Sequence, residues 1–202
     1  MNAITALTIR YPALSECSTD IQKAFDLMLS CYKASGKVLV CGNGGSAADA
    51  DHIVGELLNK FKKKRKLDPT IAAQLLAELT DKLVGALPAM SLVSMSATLS
   101  SISNDSNWDV AFAQQVYGLG SKGDVLIAIS TSGDSTNCLN AALVAHAKGI
   151  HIIALTGKDG GKLTPLSDVS IRVPETETFK IQELHLPIYH ALCSDPEDAL
   201  FN

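Results

Sequence analysis

The sequence predicts an α/β domain on a parallel sheet, and three observations predict it. Short apolar runs, Lys37–Cys41, Asp124–Ile129 and His151–Leu155, read as buried strands. The first two lead straight into polar loops and then into segments of helical periodicity, the succession of a βαβ unit. The 202 residues, 47% hydrophobic, suffice for one sizeable core. A single domain over 1–202 is expected, with an N-terminal helical segment at 1–36 and a helical insertion at about 62–88.

In chain order, Ser18 or Thr19 can cap a helix whose apolar face is Ile21, Phe25, Met28, Leu29 and Tyr32, and Gly36 stops it. Strand Lys37–Cys41 and a Gly-rich loop come next, then a helix from about Ser46 to Phe61. Ile71 to Leu87 keeps helical periodicity between Pro69 and Pro88. Met90 to Met95 is a second strand candidate, and Asp105 to Val116 contains a short helix. Strand Asp124–Ile129 leads through a polar loop to a helix from about Thr136 to Lys148. His151–Leu155 and Val169–Val173 are the last strands. A helix from about Phe179 to Cys193 closes the chain, kinked or delayed at Pro187. The polar residues 194–202 lie beyond it.

Composition excludes several classes. Charged residues are 19% and the formal net charge is −4, which argues against a general nucleic-acid binder. The one basic run, Lys62-Lys63-Lys64-Arg65-Lys66, reads as a solvated helix end, where cations suit the negative pole of the helix dipole. The five cysteines (Cys17, Cys31, Cys41, Cys138 and Cys193) are scattered and form no C-x-x-C pair, so neither a disulfide framework nor a zinc ribbon is expected. Residues 1–18 carry one Arg and no long apolar core, unlike a secretory signal. No stretch approaches the ~18 apolar residues that span a bilayer. A cytoplasmic chain without nucleic-acid or membrane partners is the expectation.

Two loops carry the candidate ligand contacts, because ligands of parallel sheets sit beyond the carboxyl ends of the strands. The first, Gly42-Asn43-Gly44-Gly45-Ser46, lets the backbone approach a ligand and precedes a helix with free N–H groups. Gly42, Gly44 and Ala47 fit G-x-G-x-x-A. The acidic residue that completes a dinucleotide site is missing, since Met95-Ser96 stands there, and no G-K-[ST] follows. No nucleotide cofactor is therefore expected. The second loop, Ser130-Thr131-Ser132-Gly133-Asp134-Ser135, places four hydroxyls in six residues between a strand and a helix. A helix cap needs one hydroxyl; four, with backbone amides, can hold a phosphate by neutral hydrogen bonds.

These loops belong to a longer ordered set. It runs through Gly42-Asn-Gly-Gly-Ser-Ala-Ala-Asp-Ala50 with His52 and Glu56, Ser103-Asn-Asp105, and Phe112-Ala-Gln-Gln-Val116. It continues with Ile129-Ser-Thr-Ser-Gly-Asp-Ser135, Ala154-Leu-Thr-Gly157 and Ile181-Gln-Glu-Leu-His185 with His190. From about residue 20 to 195 the chain resembles the SIS (sugar isomerase) domain family, and within it the phosphoheptose isomerases. The resemblance implies a three-layer αβα sandwich with a parallel, flavodoxin-like sheet. It also implies an N-terminal helix used in oligomerisation, and a homotetramer with sites between subunits. The activity implied is aldose–ketose isomerisation of a phosphorylated sugar, sedoheptulose 7-phosphate to D-glycero-D-manno-heptose 7-phosphate, through an enediol. Ser130, Thr131, Ser132 and Ser135 would hold the phosphate, with Asn43, Gly44 and Ser46 beside the sugar and Asp105 and Gln182 as further substrate contacts. Glu56 matches the family's base and His190 its acid. His52, Glu56, Gln182 and His190 match positions that hold one zinc ion per site in some members.

The chemistry suits these residues. Aldose–ketose isomerisation needs a base at carbon and an acid at the carbonyl oxygen, with the phosphate as remote handle. His52 and Glu56, four apart on one helix, share a face that starts at the Gly-rich loop. On an ideal helix Gln182 and His190 point ~80° apart, and His185 lies ~60° to the other side of Gln182. Spacing leaves the two histidines open, and only the resemblance selects His190. Two departures stand out: residues 62–88 are longer than usual, and Phe179 occupies a position that is often acidic. An isomerase for another phosphosugar, and a non-catalytic SIS adaptor that binds a protein such as a replication initiator, are the alternatives. Glu56, Gln182 and His190 together favour an enzyme.

Overall fold

The computed structural model describes residues 3–201. Its centre is one five-stranded parallel sheet of β1 (Val38–Gly42), β2 (Ala89–Ser91), β3 (Val125–Ile129), β4 (His151–Thr156) and β5 (Val169–Arg172). The order is β2-β1-β3-β4-β5, the flavodoxin-like order. β1 is central and pairs Val38 with Ala89 on one side and with Val125 on the other. The strands read as continuous apolar runs because helices cover both sheet faces. Alternate residues divide between two cores: Val38, Val40, Val125 and Ile127 face one, Leu39, Cys41, Leu126 and Ala128 the other.

Helices α1 (Ala3–Arg10), α2 (Ser18–Lys33), α3 (Gly45–Leu58), α4 (Pro69–Ala72), α5 (Ala77–Lys82), α6 (Ser96–Asp105), α7 (Ala111–Leu119), α8 (Thr136–Ala147) and α9 (Thr178–Leu200) complete the chain. The first core is closed by α1, α2, α3 and α9, through Leu7, Ile21, Met28, Ile53, Leu57 and Ile188. The second is closed by α6, α7 and α8. The result is the expected three-layer αβα sandwich. All five cysteines are free and buried. Among the described residues no helix is long and apolar enough to cross a membrane.

Four expectations give way. The strand candidate at Met90–Met95 is only Ala89–Ser91, and the chain then turns into α6, so Asp105 ends one helix and Ala111 begins the next. The periodic stretch Ile71–Leu87 is not one helix. It contains α4, capped by the Asp68 carboxylate on the N–H groups of Thr70 and Ile71, and α5; neither buries a residue. Helices this short persist only with tertiary support, and here Ile71, Leu76, Leu79 and Leu83 stay exposed.

The basic run is not a solvated helix end. α3 stops at Leu58, and Arg65 turns inward with its side chain 0% exposed. Its Nε donates to Glu197 Oε1 at 2.8 Å, and its other nitrogens donate to the carbonyls of Leu57 and Glu56 at 2.5 and 2.9 Å. The same contacts overturn the short final helix. Glu197 also accepts from the N–H groups of Phe61 and Lys62, and Asp195 accepts from Ala3. Asp195 and Glu197 are thus buried against partners distant in sequence, and α9 runs through Pro187 and Pro196 to Leu200.

Candidate active site

The loops after β1 and β3 meet at the point where the strand order reverses, the usual ligand crevice of such sheets. In the first loop Gly44 takes a positive φ of 57°, and a Cβ on Gly45 would stand 2.4 Å from Gln182 Nε2. Glycine here lets α9 deliver Gln182 against the loop. Ser46 is buried in the first turn of α3. The side-chain amide of Asn43 exchanges two hydrogen bonds with that of Asn137, at 2.9 and 2.8 Å, tying the first loop to α8. Asn43 is thus already engaged by the protein. Asn137 carried no signal in the sequence beyond its place after the serine loop.

The second loop is tightly built. Gly133 has φ 71°, and a Cβ there would stand 2.1 Å from the carbonyl oxygen of Gly160. The Ser130 and Ser135 hydroxyls are 3.0 Å apart, and Ser130 Oγ accepts from the Gly133 amide at 3.1 Å. Ser130 is buried, Thr131 and Ser135 half-buried, and Ser132 exposed. Asp105 is exposed at the end of α6, its carboxylate bonded by Asn104 and Ser101.

His52, Glu56 and His190 come together as the spacing on α3 and the resemblance imply. His52 Nε2 is 3.2 Å from Glu56 Oε1, and the His52 and His190 rings meet edge to face with centroids 5.1 Å apart. The Phe61 and Tyr189 rings also pack on His190, with centroids 5.4 and 5.1 Å away. Burial first, and then the neighbouring His52, pull the pKa of His190 below the ordinary value, against the opposing pull of Glu56. The shift favours the neutral ring. His190 also borders a cleft of about 450 Å³ that Arg10, Lys62 and Glu183 line. The part α1 takes in this wall was not visible in the sequence.

His185 goes elsewhere. It is fully buried, its Nε2 lies 3.3 Å from the Thr156 carbonyl, and desolvation pulls its pKa down to about 4. The structure separates the two histidines that spacing left equivalent.

Among the described residues no three His, Cys, Asp or Glu side chains are arranged as a metal centre within one subunit. The donor chemistry nevertheless fits a cation. Tyr189 donates its hydroxyl to Asp49 Oδ1 at 3.1 Å, and its oxygen lies 3.0 Å from His52 Nδ1. His52 Nε2 faces the Glu56 carboxylate at 3.2 Å, and an imidazole nitrogen beside a carboxylate oxygen is a donor pair that a cation can take.

With this geometry in view, comparison with known proteins decides the family. A sequence profile of the SIS domain matches residues 6–83 and 83–157. The phosphoheptose isomerase of Chromohalobacter salexigens is 42% identical over 90% of this chain and 84% of its own length. This chain belongs to the phosphoheptose isomerase family of SIS-domain proteins. Solved structures agree. A phosphoheptose isomerase from Neisseria gonorrhoeae superimposes with a TM-score of 0.75 at 37% identity, over 96% of this chain and 95% of the other. One from Francisella tularensis gives 0.78 at 34% identity, over 96% and 92%. The phosphoheptose isomerase fold thus extends over nearly the whole chain.

Proposed function

We propose that this chain is an aldose–ketose isomerase that converts sedoheptulose 7-phosphate to D-glycero-D-manno-heptose 7-phosphate. The observation that carries the reading is the group His52, Glu56 and His190, set beside two loops suited to a sugar phosphate. Family membership points to the same chemistry.

In this reading the Ser130–Ser135 loop grips the phosphate through hydroxyls and amides, and Gln182 and Gly44 lie along the sugar. Glu56 removes a proton from C1 of the ketose. The electron pair moves toward C2, and the C2 carbonyl oxygen takes a proton from His190, which leaves the enediol. His190 next takes the O1 proton as the C1 carbonyl forms, and Glu56 returns its proton to C2. A neutral imidazole can act as this electrophile, and the lowered pKa of His190 supports the role. His52, Glu56, Gln182 and His190 would hold one zinc ion per site, which when bound supplies Lewis-acid polarisation of the carbonyl oxygen.

The working unit is read as a cytoplasmic homotetramer with sites at subunit interfaces. Exposed Trp108, Tyr117 and Leu143, on or beside α7 and α8, offer apolar surface for a second copy, and five free buried thiols suit a reducing compartment. The test is incubation of the protein with sedoheptulose 7-phosphate, with and without zinc, while aldose formation is followed. Turnover supports the reading. No turnover of this sugar, with turnover of a shorter ketose phosphate, moves the substrate within the family, and no turnover of either sinks the enzyme.

A further inference from the structure

The residue before His190 is a tyrosine whose ring is buried, 1% exposed, and whose hydroxyl touches two polar groups of α3. One is Asp49 Oδ1; the other is Nδ1 of His52. Among the described residues Asp49 Oδ2 is buried without a hydrogen-bond partner, so the Tyr189 hydroxyl is the bond that this carboxylate has there. Asp49, Tyr189, His52 and Glu56 thus form one line of contacts with a carboxylate at each end. A neutral imidazole brings one proton to two contacts, and one end must go without.

The two ends are unequal. Around Glu56 and His52 the side chains are 25% and 43% exposed, so water can replace the lost contact. Tyr189 is 1% exposed and Asp49 Oδ2 is buried, so water replaces a lost contact less readily there, and a buried unpaired acceptor costs more than an exposed one. We propose that Tyr189, backed by Asp49, is a positioning residue that keeps the His52 proton on Nδ1 and aims the Nε2 lone pair at Glu56. This deepens the zinc reading of the site, since ligating histidines are oriented through their other ring nitrogen and loss of such support weakens metal affinity by roughly 10- to 100-fold. The Tyr189 hydroxyl acts through the His52 imidazole, which it meets at Nδ1.

The test uses metal-free full-length protein labelled with 15N-histidine, read at alkaline pH where the ring is neutral, with the His52 signals assigned through His52→Gln. Wild type should carry its proton on Nδ1, and Tyr189→Phe should move it to Nε2, the side of Glu56. Zinc affinity, measured by chelator competition, should fall about tenfold in that variant. Should Tyr189→Phe not fold with Asp49 stranded, Tyr189→Phe combined with Asp49→Asn removes the buried charge and should give the same switch. A wild-type proton on Nε2, a variant proton that stays on Nδ1, or a tautomer switch with unchanged zinc affinity each overturns the proposal. Failure of wild type to bind zinc would instead count against the zinc reading, while the tautomer measurement still decides the positioning of His52.

Discussion

Helix α9 carries two histidines five residues apart, and they lie in opposite chemical settings. On the side toward β4, His185 is fully buried, has the Thr156 carbonyl on Nε2, and has no hydrogen-bond partner for Nδ1 among the described residues. Where α9 faces α3, His190 is half-buried among His52, Phe61 and Tyr189, within the influence of Glu56. Both pKa values fall, mainly through desolvation, but only one ring can reach a ligand. The difference teaches that helical spacing sets where a side chain points, and that the opposing elements decide what it can do.

The reactive side should respond in rate and the sealed side in stability. The largest effect is expected at Glu56. Replacement by Gln keeps the shape and removes the base, so kcat should fall by about 10³-fold or more. Unfolding by urea should shift by no more than ~0.5 kcal/mol, because Glu56 is partly exposed. A variant that keeps a tenth of wild-type kcat would mean that the base lies elsewhere. Next comes the far end of α9. Arg65→Met leaves Glu197, 0% exposed, without its cation. Breaking one partner of such a buried pair costs about 3–5 kcal/mol, a large part of a domain's stability. Adding Glu197→Gln should restore much of it, whereas an unchanged urea midpoint in Arg65→Met alone would show that the pair does not anchor α9.

How legible this molecule was in its sequence follows the same division. The strands and the two loops were readable because their signals are local: apolar runs between glycines, hydroxyls at a helix start, His52 and Glu56 one turn apart. The structure keeps them, apart from the second strand candidate, which shrinks to Ala89–Ser91. The misreadings share a different cause. Arg65 looked like a surface cation, and residues 194–202 looked like a polar tail, because Arg65 and Glu197 are buried against each other across more than a hundred residues. Tyr189 and Asp49 gave no signal, since a hydrogen bond between α3 and α9 has no local pattern. His190 was chosen by resemblance alone; the geometry supplies the reason in the neighbours it meets and His185 does not.

The smallest effect expected is a pH dependence that belongs to His185. Its folded-state pKa of about 4 lies below the ordinary 6.5 because protonation would put a charge in the core and an N–H on Nδ1 with no acceptor. The unfolded chain therefore binds this proton more readily than the folded one. Its contribution to stability is complete above pH 6.5 and is lost as the pH falls toward 4, by about 3 kcal/mol in all. In His185→Leu that loss should be absent. The Thr156 carbonyl still accepts from the Val173 amide at 3.1 Å, so no backbone group is orphaned. Urea unfolding from pH 7 to pH 4 should show the gap between wild type and variant move by about 3 kcal/mol in favour of the variant. Turnover per folded molecule at pH 7 should stay within about twofold, as for a side chain that meets no reacting atom. Parallel stability curves for the two proteins would remove burial as the reason that His185 and His190 differ.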